Sequence, residues 1–180
     1  MRRKLVQMAV EASARRVGGD TAYIMSLYEI SPRVLKRLGA AVKMLSHREI
    51  VPIEAAYAAQ LAGALAEGCG SCVQIHINMA RAAGVDDSVI ASVLLGDLAA
   101  LPFEAVLAIR FARALIERSE DEPLARQAVQ DTWGGKGVVD LAVATQVSRF
   151  LSMLKFGFGH ATSCEVLSVG DRQLAPAVPT

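Results

Sequence analysis

The stretch PIEAAYAAQLAGALAEGCGSCVQIH, residues 52–76, carries the two signals that decide the fold of this chain. Its first part opens with proline and places apolar or small residues at a period near 3.6, which predicts a buried helix from Pro52 to Glu67. Gly68 and Gly70 then end that helix, and the following one is predicted from about Ser71 to Ala83. The sequence therefore predicts two consecutive helices in the interior of the protein.

The rest of the chain has the punctuation of helices and few features of strands. Aromatic residues make up 5% of the sequence, no run of alternating β-branched residues occurs, and no Asn-Gly or Asp-Gly pair indicates a hairpin. We therefore expect an all-α fold, a helical bundle with a CxxC motif at the start of a central helix. Further helices are predicted over these segments: 31–47, 88–95, 103–118, 123–132 and 138–156.

A single domain accounts for most of the sequence. The 180 residues are 53% apolar, which is enough for one hydrophobic core of ordinary size, and no repeat of fixed period is present. We expect a helical extension at residues 1–30, one domain at residues 31–170 and a disordered tail at residues 171–180, where the chain ends in APAVPT.

The balance of charges argues against partners that carry many charges of one sign. With 19 Lys and Arg against 18 Asp and Glu, the formal net charge is +1, so no strong field attracts nucleic acid or an anionic membrane. Charges or glycines interrupt every apolar run before the roughly 18 residues that span a bilayer. The N-terminus is basic, and Glu11 and Arg15 break its apolar run, a pattern typical of an amphipathic helix. We expect a cytoplasmic protein that acts on a small substrate or on another protein.

The CxxC motif and the histidine after it form the candidate chemical centre. On a helix that begins near Cys69, the positions of Cys69, Cys72 and His76 fall on one side. The free N–H groups and the positive dipole at a helix N-terminus stabilise a thiolate, which is the reactive form of cysteine. His76 lies one turn beyond Cys72 and can take or hold the thiol proton near neutral pH. The spacing favours a redox-active dithiol.

Two other interpretations of these residues stay open. Small buried cysteines and a histidine can line a contact between helices without any chemistry. Alternatively, Cys69 and Cys72 can bind zinc together with His160 and Cys164 of the HATSC segment. That zinc set joins two halves that lie far apart in sequence and leaves His76 without a role.

The motif CGSCVQIH, followed by INMARAAGVDDSVIASVL, resembles the core of the carboxymuconolactone decarboxylase and alkylhydroperoxidase D-like superfamily. In that family a buried helix leads into CxxC, the CxxC helix ends at an Ala-Gly pair, and a short helix follows. The resemblance covers about residues 49–96 and extends more loosely over LPFEAVLAIRFARALIER. It implies an all-α fold that assembles as trimers or hexamers, with thiol peroxidase or disulfide reductase activity.

The resemblance also implies a role for each residue of the centre. In the family the second cysteine, here Cys72, attacks the peroxide, and the first, here Cys69, then closes the disulfide. The histidine, here His76, relays the proton. Condensation of the sulfenic acid with a neighbouring thiol protects the sulfur from overoxidation. Decarboxylases of the superfamily lack the CxxC motif, so we do not expect decarboxylation here, and we expect no cofactor.

One position departs from the family pattern. Peroxidase members carry a glutamate twelve residues before the first cysteine to complete the proton relay, and this sequence has Tyr57 there. Glu54 lies one helical turn earlier, and Glu67 lies two residues before Cys69, so either carboxylate is a candidate substitute. We include Glu67 with the two cysteines and the histidine among the predicted catalytic residues.

Three functions of different classes are compatible with the sequence. The first is an oxidoreductase that acts on a small hydroperoxide or on a partner disulfide or dithiol protein. The second is a non-enzymatic oligomeric or binding module that keeps the fold, and the third is the zinc module. In each case a homo-oligomer is expected, because the alanine- and leucine-rich helices carry more apolar surface than one chain can bury.

Overall fold

The computed structural model describes residues 2–18, 21–161 and 166–176 of the chain. Helices dominate these ranges, and the only strands within them form one short antiparallel hairpin, so the all-α prediction is confirmed. The elements have these bounds: α1 Arg2–Val17, α2 Thr21–Ile30, α3 Pro32–Lys43, α4 Ile53–Ala66, α5 Gly70–Ala82, α6 Asp87–Leu95, α7 Phe103–Glu117, α8 Glu122–Gly157, β1 Leu167–Val169 and β2 Arg172–Leu174.

The central helix is α4, and small residues allow its neighbours to approach it closely. It packs against α5, α7 and α8. A Cβ atom at Gly63 would collide with the Thr145 carbonyl oxygen and the Ser148 hydroxyl of α8, so only glycine permits this crossing. The close approach places the connection between α4 and α5 beside the second half of α8, where Ser71 and Lys155 are hydrogen-bonded.

The buried apolar side chains form two clusters, one on each side of α4. The first joins α4 to α5, α6, α7 and the hairpin, and the second joins α4 to α7 and α8. Burying each large aliphatic or aromatic side chain contributes about 1.5–3 kcal/mol, so these clusters hold the helix ends that carry the cysteines in place. The largest fully buried apolar side chains are Leu61, Ile77, Ile90, Leu94, Ile109, Leu167 and Val169 in the first cluster, and Phe111, Leu141, Val51 and Val129 in the second.

The long helix α8 is bent at one glycine. The sequence predicts separate helices over 123–132 and 138–156, whereas the structure has one helical span, Glu122–Gly157, with non-helical backbone at Gly134. Gly134 has φ 69°, a left-handed conformation that glycine adopts without the steric cost other residues bear. The predicted break is therefore reduced to a single residue, and the helix continues past it.

The hairpin of β1 and β2 was not predicted from the sequence. Its turn uses Gly170 at φ 58°, and the alternation of buried Leu167, exposed Ser168 and buried Val169 spans only three residues. Gln74 of α5 holds the hairpin, because its side chain accepts from Ser168 N and donates to Ser168 O. The expected disordered tail at 171–180 therefore needs correction over Arg172–Leu174, which forms β2, while residues 177–180 lie outside the described ranges.

Within the described ranges, α8 is the one helix whose length and composition would allow it to cross a membrane. The core helix of a globular protein meets the same criteria. Leu141 and Ala144 of α8 are buried against α4 and α7, and the buried face of α8 also carries Asp140 and Lys155. The helix is therefore weak support for a membrane span.

Candidate redox centre

The two cysteines lie at the start of α5, Cys69 just before its first turn and Cys72 within it. Gly68, at φ 62°, reverses the chain after α4, and Cys69 becomes the residue that precedes the first turn of α5. Both Cys72 N and Val73 N donate to the Cys69 carbonyl oxygen, at 2.9 and 3.0 Å, which places Cys72 one turn on from Cys69. The Cα atoms of the cysteines lie 5.2 Å apart, and their sulfurs are bonded as a disulfide.

His76 is buried one turn beyond Cys72, and its hydrogen bond fixes the proton on its ring. The residue is 3% exposed, and Nδ1 lies 3.2 Å from Gln60 Oε1. The Gln60 amide nitrogen donates to the Leu45 carbonyl oxygen at 2.8 Å, so its oxygen faces the imidazole and Nδ1 must be the donor. Nε2 is then the unprotonated nitrogen, available to accept a proton.

Burial also determines the charge of His76. Desolvation lowers the pKa of the ring from 6.5 to about 4, so the imidazole is neutral at pH 7. The sequence suggested that His76 could hold a proton near neutral pH, but the buried ring does not. A neutral ring with a free Nε2 accepts a proton only during a transfer step.

Gln60 takes the place that a carboxylate was expected to hold. The sequence puts Gln60 on the buried face of α4, and the packing of α4 against α5 brings its amide to His76. Tyr57, at the position of the family glutamate, is half-buried, and desolvation raises the pKa of its hydroxyl although Arg48 opposes the shift. A polar side chain among alanines, one turn after Tyr57, was the signal in the sequence that could have identified Gln60.

The candidate carboxylates lie in different surroundings. Glu67, just after α4, forms an ion pair with Arg149 of α8, with Nε 2.6 Å from Oε1, and both side chains are mostly buried. Glu54 lies in the first turn of α4, at the end remote from Cys69. Among the described residues, the hydrogen bond of the His76 ring is to Gln60 and not to either carboxylate.

Two residues not predicted from the sequence, Ser71 and Lys155, also contact the centre. Ser71 Oγ lies 3.5 Å from Cys69 Sγ, and Lys155 Nζ donates to Ser71 Oγ at 2.8 Å. Lys155 is 4% exposed, and its ammonium lies 5.7 Å from the centroid of the Tyr23 ring. The sequence separation of 84 residues hides the pair, although the helical period that buries Ser148 and Ser152 also places Lys155 on the buried face of α8.

The residues of the alternative zinc set do not form a metal site in the described part of the chain. There, no group of three or more His, Cys, Asp and Glu side chains could hold a metal ion. Cys69 and Cys72 are bonded to each other, and a disulfide lacks the thiolate charge that binds zinc. The ring of His160 packs against Tyr23, with centroids 5.4 Å apart, and Cys164 lies outside the described residues.

Comparison with known proteins identifies the region that surrounds the cysteines. No curated protein and no solved structure matches the chain. Residues 58–116, from within α4 to the end of α7, match the family model of the carboxymuconolactone decarboxylase family. This region contains the CxxC helix and the helices that pack against it, where the sequence already resembled the superfamily. The resemblance of the sequence to the superfamily is thereby confirmed over residues 58–116.

Proposed function

We propose that this protein is a thiol-dependent oxidoreductase that reduces small hydroperoxides through Cys69 and Cys72, assisted by His76. The observation that carries the proposal is the bonded pair of sulfurs at the first turn of α5, with His76 one turn further along the same helix. A Cα separation of 5.2 Å lies within the usual disulfide range, so the pair can open and close without a large movement of the backbone.

In the proposed cycle, Cys72 attacks and Cys69 resolves. The Cys72 thiolate attacks one peroxide oxygen and the O–O bond breaks, which leaves a sulfenic acid on Cys72 and an alkoxide that takes up the proton relayed by His76 Nε2. The Cys69 thiolate then attacks the Cys72 sulfur, so that the S–S bond forms, the S–O bond breaks and the hydroxide leaves as water after protonation. A dithiol reductant restores the two thiols and is itself oxidised to a disulfide.

Thiol–disulfide exchange with a protein partner is the second candidate for the same centre. The observation that favours it is Gln60, a neutral amide that holds His76 where the family peroxidases have a carboxylate in the relay. Exchange needs thiolates at both sulfurs but no proton delivery to a leaving alkoxide. Glu67 is the remaining candidate for a relay carboxylate in the peroxidase cycle.

We also propose that the protein acts as a cytoplasmic homo-oligomer, a trimer or hexamer as in the family it resembles. Phe150, Met153 and Phe156 are exposed along one side of α8, and such a row of large apolar side chains is typical of a surface that meets another protein. Light scattering tests this assembly: a mass several times the 19.1 kDa of one chain would support it, and a mass near 19.1 kDa would contradict it.

A hydroperoxide assay with dithiothreitol as the reductant tests the function. We expect turnover by the parent protein, none by Cys72→Ser, and one turnover by Cys69→Ser, which then stalls because its sulfenic acid has no resolving thiol and overoxidises. Cys164→Ser is the matched control, since it removes the third cysteine and should keep full activity.

The other outcomes separate the candidate functions. No peroxide turnover with rapid reduction of an oxidised thioredoxin-type substrate favours disulfide exchange. No activity in either assay leaves the non-enzymatic module, and stoichiometric zinc in the purified protein favours the metal module. Equal peroxide turnover by Cys72→Ser and Cys69→Ser would show that this pair is not the centre.

A further inference from the structure

We propose that Ser71 and Lys155 stabilise the Cys69 thiolate, which makes Cys69 the leaving group when the disulfide is reduced and a ready resolving thiolate when it forms. The inference rests on the proposed dithiol function of the same centre. In these terms Lys155 is a positioning residue, because it acts on Cys69 through Ser71.

The direction of the two hydrogen bonds follows from the chemistry of the groups. An ammonium has donors and no acceptor, so Ser71 Oγ accepts from Lys155 Nζ at 2.8 Å. Cys69 Sγ, bonded to the other cysteine, carries no proton, so Ser71 must be the donor across the 3.5 Å to that sulfur. The hydroxyl is therefore already oriented towards the atom that receives negative charge when the disulfide opens.

The burial of Lys155 supports a counter-charge at this place. A buried ammonium is costly unless it is paired, and within the described residues no carboxylate oxygen lies within 4.0 Å of Lys155 Nζ. Its described contacts are the neutral Ser71 hydroxyl and the face of the Tyr23 ring. Reduction of the disulfide creates an anion on the neighbouring sulfur, so the charge of Lys155 is better compensated in the reduced state.

The exposure of the two cysteine residues also favours attack on Cys72. Cys72 is 8% exposed and Cys69 is 1% exposed, so an incoming thiolate reaches Cys72 more easily. Attack on the Cys72 sulfur breaks the S–S bond and leaves the electron pair on Cys69, beside Ser71. The second thiol of a dithiol reductant then attacks the mixed disulfide and displaces Cys72 as a thiolate, and the protons of the reductant protonate the products.

The alkylation rate of Cys69 tests the stabilisation without any peroxide. In a Cys72→Ser, Cys164→Ser background Cys69 is the one thiol, and its reaction with iodoacetamide is followed as a function of pH. Lys155→Met keeps the aliphatic volume and removes the charge, and we expect the rate at pH 7 to fall about tenfold. At high pH, where the thiol is fully ionised, the two rates should converge.

That convergence distinguishes charge stabilisation from structural support. A Lys155→Met rate that is lower by the same factor at every pH, or unchanged at every pH, would overturn the inference. Ser71→Ala, which removes one oxygen, should show the same convergence with a loss of about threefold, and it carries the test if Lys155→Met does not fold. An unchanged Ser71→Ala profile in that case would also overturn it.

Other ionisable groups near the centre belong to several elements. Burial raises the pKa of Tyr23 on α2 and lowers the pKa of His76 on α5 to about 4, so neither changes its charge between about pH 5 and 9. Glu67 and Arg149 are paired with each other, and His160 lies against Tyr23. A His160→Gln variant in the same background shows whether that imidazole contributes to the profile.

Mapping the mixed disulfide tests the direction of attack. When the oxidised protein is treated with glutathione and quenched with acid, we expect glutathione on Cys72 and a free thiol at Cys69. Glutathione found mainly on Cys69 would overturn the assignment. Because neither experiment uses peroxide, a protein without peroxide turnover can still satisfy both, and a working peroxidase can still fail both.

Discussion

Helix α8 buries one charge near each end of its second half, and the two are compensated in different ways. Asp140 accepts from three successive backbone N–H groups, those of Glu49, Ile50 and Val51, at 2.9–3.2 Å, and His47 Nε2 lies 3.4 Å from its carboxylate. Lys155, about 22 Å further along the helix, donates to a neutral hydroxyl and contacts an aromatic face among the residues that the structure describes.

The difference indicates what each charge does. Burial raises the pKa of Asp140, but the backbone donors of Ile50, Val51 and Glu49, with His47, outweigh it, and the net effect lowers the pKa below 3.8. The charge of this carboxylate is fully compensated by hydrogen-bond donors in the folded protein, and it holds the turn before α4 against α8. Within the described residues Lys155 has no anionic partner until a thiolate forms on Cys69, which is the arrangement expected of a group that serves a reaction.

The largest effect on stability should come from removing Asp140, the charge that is fully compensated in the folded protein. Asp140→Ala leaves three buried or half-buried N–H groups without an acceptor, so we expect the free energy of unfolding to fall by about 4 kcal/mol. Urea unfolding measures this loss. Asp131→Ala is the matched control on the same helix, because its exposed carboxylate accepts one bond from Gln127, and its effect should stay below about 0.5 kcal/mol.

The comparison fails if Asp140→Ala is as stable as the control. It also fails if the folded Asp140→Ala protein, in the background where Cys69 is the one thiol, alkylates Cys69 with an altered pH profile. In that case the two ends of α8 are coupled, and the structural and chemical roles are not separate.

The sequence was sufficient to predict the elements that local rules determine. The period of residues 52–67 and the glycines after them predict α4 and the start of α5, and the CxxC spacing predicts the bonded pair of Cys69 and Cys72. The hairpin escaped prediction because each strand has three residues, which is too short for an alternation to be distinguished from chance.

The partners of the centre depend on contacts between distant segments, which local rules do not describe. Gln60 lies on the buried face of α4, but its bond to His76 requires the packing of α4 on α5. In the sequence SMLKFGF, nothing distinguishes Lys155 from an ordinary surface lysine. Its contact with Ser71 depends on the close approach of α8 to Gly63. The sequence therefore predicted the bonded cysteines and the histidine one turn beyond them, and the packing showed which side chains surround them.

A smaller effect is expected in the pH dependence of stability, where His76 and Asp140 act in different pH ranges. The folded state holds His76 neutral, with a pKa of about 4 against 6.5 when unfolded, so the unfolded state binds a proton that the folded state does not. The free energy of unfolding should therefore fall by about 3 kcal/mol as the pH drops from about 6.5 to about 4. The pKa of Asp140 is lowered in the folded state. The stability that this carboxylate contributes is therefore present above pH 3.8 and is lost only below that pH.

Two variants resolve these windows in acid unfolding. His76→Gln should remove the loss between about pH 6.5 and 4 and keep the one below it, while Asp140→Asn should do the reverse. An unchanged slope in His76→Gln would mean that the folded protein accommodates the imidazolium.

In the peroxide assay, His76→Ala should slow the attack by Cys72 about a hundredfold, with a defect that shrinks as pH rises and free thiolate accumulates.

The smallest effect is expected at Glu67, a partly buried charge that lies two residues before Cys69 in sequence. Its carboxylate forms an ion pair with Arg149, with Nε 2.6 Å from Oε1. Like Asp140 and unlike Lys155, it is therefore already compensated in the folded protein. Glu67→Gln should slow peroxide turnover by no more than about threefold, the scale of a partly buried ion pair, and Arg149→Met should do the same because each breaks one bond. A relay carboxylate would behave differently: Glu67→Gln would then cost as much as His76→Ala, while Arg149→Met, which frees the carboxylate, would leave the proton transfer intact or faster. Turnover rates of the two variants side by side therefore decide whether this glutamate replaces the family's relay residue or only fastens the end of α4 to α8.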